Sequence, residues 1–302
     1  MSPASTWLAK AVQGLRSFAY GGERPKVGLA LGGGFARGIA HIGVLRVFEK
    51  HEIPIDFIAG TSVGALIAST YASGTSLDDM ERQGQETHFR DFGRWTLSRY
   101  GMASNERLEE FLHKFTPARY FTEMKIPLSI VATDLVTGKS VHFTDGEIGP
   151  PLRASCAYPG LFRPIEYRGH VLADGFLTEA APAEAVRALG AELVISVYLD
   201  PGLLDDRPRN TIEIISRSFS IMQTNVIQPW RTVTDVLIEP DVHHVLWYEF
   251  AKTPLLVAAG EEAARAALPK IKALLSGRLE RSYSGPERRA ARSRRLGDHR
   301  RN

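Results

Sequence analysis

Short apolar runs alternate with amphipathic stretches along this 302-residue chain. Continuous apolar runs at 27–31, 55–59, 126–133 and 193–199 have the length and β-branched content of buried strands. Between them, apolar residues recur three and four apart. Residues 35–51 place Ile39, Ile42, Val44, Leu45, Val47 and Phe48 on a helical face, and 63–73 reads as a second helix. Residues 76–117 read as helical and polar-rich, with Ser104 capping a helix near Arg107. A smaller strand is expected at 139–144, and a hairpin at 163–167 and 170–173 around Arg168-Gly169. Helices at 182–189 and 211–228, a strand at 236–238 and an amphipathic helix at 255–275 complete the pattern. Strands alternating with helices predict an α/β fold, a mainly parallel sheet covered by helices.

The two ends depart from this rhythm. Residues 1–23 carry Trp7, Leu8, Ala11, Val12, Leu15 and Phe18 at helical spacing before a Gly21-Gly22 break. They are expected to form an amphipathic appendage packed on the body, the alternative being a helix on a membrane surface. Residues 278–302 hold nine arginines against Glu280, Glu287 and Asp298, so this stretch carries +6 of a net +3 and leaves the remainder at −3. With almost no large apolar side chains it is expected to be disordered. Anionic lipid or nucleic acid could bind such a tail, and a solvated terminus is the simpler reading. The expected organisation is an appendage at 1–23, one domain at 24–277 and a basic tail at 278–302.

An apolar fraction of 44% and a charged fraction of 24% are ordinary for a globular protein. The single cysteine, Cys156, excludes an intrachain disulfide framework. No apolar run approaches the ~18 residues that span a bilayer, and no continuous apolar leader opens the chain, so a cytoplasmic location is expected.

The chemistry concentrates in two glycine-rich turns, Gly32-Gly33-Gly34-Phe35-Ala36-Arg37-Gly38 and Gly60-Thr61-Ser62-Val63-Gly64. Each follows a predicted strand and opens a predicted helix. A serine between glycines at such a turn sits on a sharp, exposed bend, which makes Ser62 the candidate nucleophile. The first loop reads in two ways. Its amides at Gly33 and Gly34, with the following helix dipole, suit an oxyanion. It also suits a dinucleotide phosphate, with Glu49, Glu52 or Asp56 near the acidic position of such sites, although the Gly-x-Gly-x-x-x-Gly spacing departs from the usual fingerprint. Arg37 either binds an anionic substrate or ties the loop to a carbonyl.

A nucleophilic serine needs a base. His41 lies inside the first helix and reads as a core histidine. His243-His244 would complete the order Ser…Asp…His, within what reads as an exposed loop. Asp174, in Leu172-Ala173-Asp174-Gly175, is a carboxylate at a strand end beside a glycine, and reads either as a base or as an ordinary Asp-Gly turn. No His/Cys/Asp cluster has metal-ligand spacing, so no metal or cofactor is expected.

Four segments in order resemble the patatin-like phospholipase family, especially its bacterial branch related to neuropathy target esterase. They are Leu31 to Gly38, Gly60 to Gly64, Arg153-Ala-Ser-Cys-Ala-Tyr-Pro-Gly-Leu-Phe-Arg-Pro164, and Asp174-Gly175. The resemblance covers roughly residues 26–275. It implies a patatin-type three-layer fold, a Ser–Asp dyad without histidine, Ser62 as nucleophile, Asp174 as base, and Gly32, Gly33 and Gly34 as the oxyanion loop. It implies phospholipid or lysophospholipid substrates. The basic tail and the apolar helices are the expected route of peripheral membrane contact, and no nucleic-acid partner is expected. Cys156 falls beside the expected site as a wall residue. Phe176 stands where the family carries a small residue, a departure that bears on the size of the substrate more than on catalysis.

Overall fold

β1 (Val27–Leu31) runs through the core, and a 3₁₀ turn at Phe35–Ile39 leads from it into α1 (Ala40–Lys50). There follow β2 (Phe57–Thr61), α2 (Val63–Ser73), α3 (Leu77–Glu86), a hairpin of β3 (Arg94–Ser98) and β4 (Gly101–Ser104), and α4 (Arg107–Phe115). The chain continues through β5 (Leu128–Asp134), β6 (Ser140–Phe143), α5 (Gly149–Ser155), β7 (Ile165–Tyr167) and β8 (His170–Asp174). It ends with α6 (Ala183–Ala188), β9 (Leu193–Val197), α7 (Thr211–Asn225), α8 (Pro229–Thr232), β10 (Val236–Ile238) and α9 (Thr253–Leu275). These elements belong to a computed structural model of the chain that describes residues 24–88, 91–98, 101–116, 118–200, 202, 207–225, 228–246 and 248–277. The expected appendage at 1–23 and basic tail at 278–302 lie outside the described residues.

The fold is α/β, with a mixed, mostly parallel sheet between helical layers. Strands β10, β9, β1, β2 and β5 are parallel neighbours in that order, while β6, β7 and β8 add antiparallel pairs around β5. Alternate side chains of β1 face opposite layers. Leu29 and Leu31 join a core with α1, α2 and α9, whereas Gly28 and Ala30 face α6. The small residues on the second face let α6 lie close: a Cβ on Gly28 would press on Val186 and Ala191. In the first layer, Gly43 of α1 and Gly260 of α9 let the two helix backbones touch. A Cβ at Gly43 would strike the Val257 carbonyl, and one at Gly260 the Ala40 carbonyl.

The register around β5 places the site. Ile130 pairs with Gly60 on one edge and Phe143 on the other, and Ala132 pairs with Asp174 and with Val141. Because β6 holds one edge throughout, β2 and β8 share the opposite edge. They run toward each other and their C-terminal ends meet: Thr61 sits opposite Val131, and Asp174 opposite the next residue, Ala132.

Three elements differ from the sequence pattern. β2 begins two residues later than the apolar run at 55–59, because Asp56 is held by a bidentate ion pair with Arg24 and accepts the Val27 N–H at 2.7 Å. The stretch at 76–117 is not continuously helical: the β3–β4 hairpin interrupts it, where Arg94-Trp-Thr-Leu-Ser98 alternates with period two. Helix α5 was hidden by Pro150 and Pro151, which occupy its first turn, where a missing N–H costs nothing.

Candidate active site

Ser62 occupies the turn between β2 and α2 with φ 56° and ψ −127°, a region that L-residues rarely adopt. Such strain costs on the order of 1–3 kcal/mol and persists only where the surroundings dictate it. The flanking glycines are part of that dictation. A Cβ at Gly60 would run into the backbone of Ala65, and one at Gly64 into the Leu31 carbonyl. The Ser62 N–H donates to Ser155 Oγ at 2.8 Å, and Ser155 Oγ donates to the Val131 carbonyl at 2.6 Å. The Ser62 carbonyl accepts the Ala65 N–H at 2.9 Å to start α2.

The structure brings Ser62 and Asp174 together across 112 residues of sequence. Ser62 Oγ donates to Asp174 Oδ2 at 2.8 Å. The other carboxylate oxygen accepts the Phe176 N–H at 2.9 Å. Thr133 Oγ1 donates to the Asp174 carbonyl and the Asp174 N–H to the Ala157 carbonyl, so the residue is fixed from four sides. Asp174 is 1% exposed, and burial raises its pKa from 3.8 to about 7, against the opposing pull of the Phe176 N–H and the Ser62 hydroxyl. A carboxylate at that value exchanges protons near neutrality, as a general base requires.

Among the described residues no histidine lines the cavities that contain Ser62. His41 is fully buried and donates Nε2–H to the Gly32 carbonyl at 2.8 Å; burial lowers its pKa to about 4, so it stays neutral. His243 and His244 are exposed and face Asp241. Cys156 lies in the cavity wall beside Ser62, and burial, then the Asp174 charge, hold its thiol well above the ordinary cysteine range. A thiol in that state is a poor nucleophile.

The glycine loop divides its labour differently from the expectation. The Gly32 N–H donates to the Val197 carbonyl at 2.9 Å and the Gly33 N–H to the Ala180 carbonyl at 3.1 Å. Both amides are thereby committed to holding the loop on the sheet. Among the described residues the Gly34 N–H has no acceptor, and Gly33 and Gly34 line the cavity with Ser62 and Asp174. Of the three glycines, Gly34 is the one with an amide free for an oxyanion. The loop offers little to a pyrophosphate. The close approaches at Gly32 and Gly34 are to Ala180, Val197 and Leu199, Asp56 is tied at the opposite end of the strands, and Glu49 and Glu52 are exposed.

Arg37 resolves its two readings in favour of the tie, while remaining in the cavity wall. Its Nε donates to the Val245 carbonyl at 2.9 Å and Nη1 to the Asp200 carbonyl at 3.2 Å, joining the loop to the segments after β9 and β10. Burial lowers its pKa, with the Asp200 charge opposing. Phe176 lies against Gly33 and lines the cavity. Sequence reasoning passed over four contributors. Ser155 sits inside a quoted motif yet had no role until the β5 register placed it under Ser62. Tyr158, and Ser216 and Ser220 of α7, complete the cavity wall. A serine pair four residues apart on a helix is too common in sequences to have singled them out.

Comparison with known proteins places the chain in a family. A family model described as patatin-like phospholipase matches residues 29–187, and the chain belongs to that family. It is 34% identical over 204 residues to an uncharacterised NTE family protein of Mycobacterium tuberculosis, covering 65% of this chain and 56% of that protein. It is 30% identical over 229 residues to the lysophospholipase NTE1 of Mycosarcoma maydis, covering 74% of this chain and 12% of that protein. The chain therefore spans about half the length of the mycobacterial relatives and a small part of the fungal one. The solved structure of VipD from Legionella pneumophila overlays with a TM-score of 0.48 at 13% identity, covering 82% of this chain and 67% of that one.

Proposed function

We propose that the protein is a serine acyl hydrolase that cleaves lipid esters, phospholipids or lysophospholipids, through Ser62 and Asp174. The observation that carries this reading is the 2.8 Å hydrogen bond from Ser62 Oγ to a buried carboxylate at the floor of a cavity. Asp174 takes the hydroxyl proton as Oγ attacks the acyl carbonyl. The Gly34 amide, with the N-terminal end of α2, faces the oxyanion that forms; one such donor is typically worth ~3 kcal/mol in the transition state. The tetrahedral intermediate collapses, the leaving alcohol takes the proton back from Asp174, and Ser62 retains the acyl group. Water, losing its proton to Asp174, then attacks the acyl-enzyme; the intermediate collapses, Asp174 returns that proton to the departing Ser62 Oγ, and the fatty acid is released.

Lipid substrates are supported by family membership and by the surface around the cavity. Helix α7 turns Ser216 and Ser220 toward the cavity and leaves Ile214, Ile221 and Met222 exposed. An apolar helix face beside the reaction centre suits peripheral contact with a lipid surface. Among the described residues no helix is long and apolar enough to cross a membrane. The test is hydrolysis of a phospholipid and lysophospholipid panel by the wild type and by Ser62→Ala and Asp174→Asn. Fatty-acid release by the wild type alone supports the reading. Release by a folded Ser62→Ala protein, or by none of the three, contradicts it.

A further inference from the structure

Ser62 lines two neighbouring cavities, one with charged and hydroxyl groups among its walls and one almost wholly apolar. One holds Asp174, Gly34, Arg37, Tyr158 and the α7 serines. The other lies on the far side of Phe35 and is walled by Val63, Leu66, Phe92, Phe162 and Phe250. This second space adjoins a third, and Phe35, Val63, Leu66, Phe92 and Phe250 are walls of both. The pair of compartments follows one face of α2, where Val63, Leu66, Ile67 and Thr70 recur three and four apart. Seven residues of helix carry that face about 10 Å away from Ser62. The far end is closed by Met80, Gln83 and Gly84 of α3 and by Thr87 just after it.

Resting on the hydrolase reading, we infer that these apolar compartments hold the acyl chain of the substrate, and that Gly84 sets the chain length accepted. The cavity on the other side of Phe35, which carries Arg37, Asp174 and the two α7 serines, is left for the leaving alcohol and its headgroup. The apolar walls begin at the nucleophile itself, so a carbonyl carbon at Ser62 Oγ projects its alkyl chain directly between Val63 and Phe35. Burying each methylene there improves binding by roughly fourfold. Gly84 is the one wall position with no side chain, and it has room for one. A Cβ built on it meets Thr253 Oγ1 at 3.4 Å and Ile39 Cδ1 at 3.5 Å, ordinary contact distances. Alanine at this position also favours the helix, so substitution there does not threaten α3.

The experiment compares wild type, Gly84→Ala and Gly84→Leu on p-nitrophenyl butanoate, octanoate, dodecanoate and hexadecanoate. A dansylated undecanoic acid is titrated in parallel into Ser62→Ala and into Ser62→Ala combined with Gly84→Leu. Circular dichroism verifies that each variant is folded. The expected result is a dodecanoate-to-butanoate ratio of kcat/KM that falls about tenfold or more in Gly84→Leu, less in Gly84→Ala, with matching loss of dansyl-fatty-acid affinity. An unchanged ratio, or equal affinity of the two Ser62→Ala proteins for the fatty acid, overturns the inference. The binding arm needs no turnover. A protein that binds the fatty acid in a Gly84-dependent way yet hydrolyses nothing therefore sinks the catalytic reading and leaves the channel standing.

Discussion

The Ser155 hydroxyl stands between the Ser62 amide and the Val131 carbonyl, 2.8 Å from one and 2.6 Å from the other. Ser62 is held in its left-handed backbone conformation by this bridge and by the glycines beside it. Ser155→Ala leaves both a buried donor and a buried acceptor unmet, at a cost of about 1–3 kcal/mol. We expect Ser155→Ala to lower kcat on the order of 10- to 100-fold with KM nearly unchanged, because Oγ loses its aim while the binding walls stay in place. A steady-state series on a soluble ester checks this. An effect confined to KM would assign Ser155 to substrate binding instead.

The protonation of Asp174 fixes the pH dependence of turnover. With a pKa of about 7, the carboxylate is half protonated at neutrality and can accept the Ser62 proton only above that value. Turnover of a soluble ester is expected to rise with pH and level off above about 7. A flat profile between pH 5 and 9, measured where the fold is intact, would contradict this assignment; the range is that of roughly neutral general bases.

The same carboxylate affects stability in the opposite sense. Its folded pKa of about 7 lies above the ordinary 3.8, so between these values the native state holds a proton that the unfolded chain has released. The stability that this proton contributes is fully present below the ordinary value and is lost as pH rises through about 7. Asp174→Asn removes the buried charge. It is expected to raise Tm relative to wild type above neutrality, by an amount that shrinks toward pH 5 and corresponds to a few kcal/mol at most. Thermal unfolding of the two proteins across that range checks the sign.

His41 contributes on the acid side. Buried and neutral with a pKa of about 4 against an ordinary 6.5, it favours the fold fully above 6.5, and this contribution is lost as pH falls toward 4. His41→Gln keeps a donor for the Gly32 carbonyl without titrating. The variant is expected to flatten the fall in Tm between these two pH values, and a fall as steep as that of the wild type would count against His41 as its source.

Helix α7 supplies a test of lipid contact. Ile221 and Met222 are 48% and 59% exposed, so replacing them with aspartate and serine leaves the core untouched. The double variant is expected to sediment less with phosphatidylglycerol–phosphatidylcholine vesicles, and its ratio of vesicle to soluble-ester turnover is expected to fall. Unchanged sedimentation would move the contact surface elsewhere.

Much of this was legible in the sequence because the decisive signals are local. The strand–glycine–helix context of Ser62 and the period of α2 specified the turn that carries Ser62, and Val63–Ser73 is helical as read. The meeting of Ser62 with Asp174 was not local. It follows from β2 and β8 ending head to head on one edge of β5, and strand order is not written in periodicity. Only the family resemblance supplied that pairing in advance. The use of the glycine amides was hidden for a related reason: Gly32 and Gly33 donate to β9 and to the segment before α6, partners more than 140 residues away. Helix α5 escaped because prolines at a helix start and prolines in a loop look alike in one sequence.

The most direct test is covalent. A fluorophosphonate reacts with a serine hydroxyl only where a neighbouring base activates it, and mass spectrometry of the digested protein then locates the adduct. The account predicts one adduct, on Ser62, lost in Ser62→Ala and strongly slowed in Asp174→Asn. A wild-type protein that stays unlabelled while folded, or an adduct that Asp174→Asn forms at the wild-type rate, would contradict it.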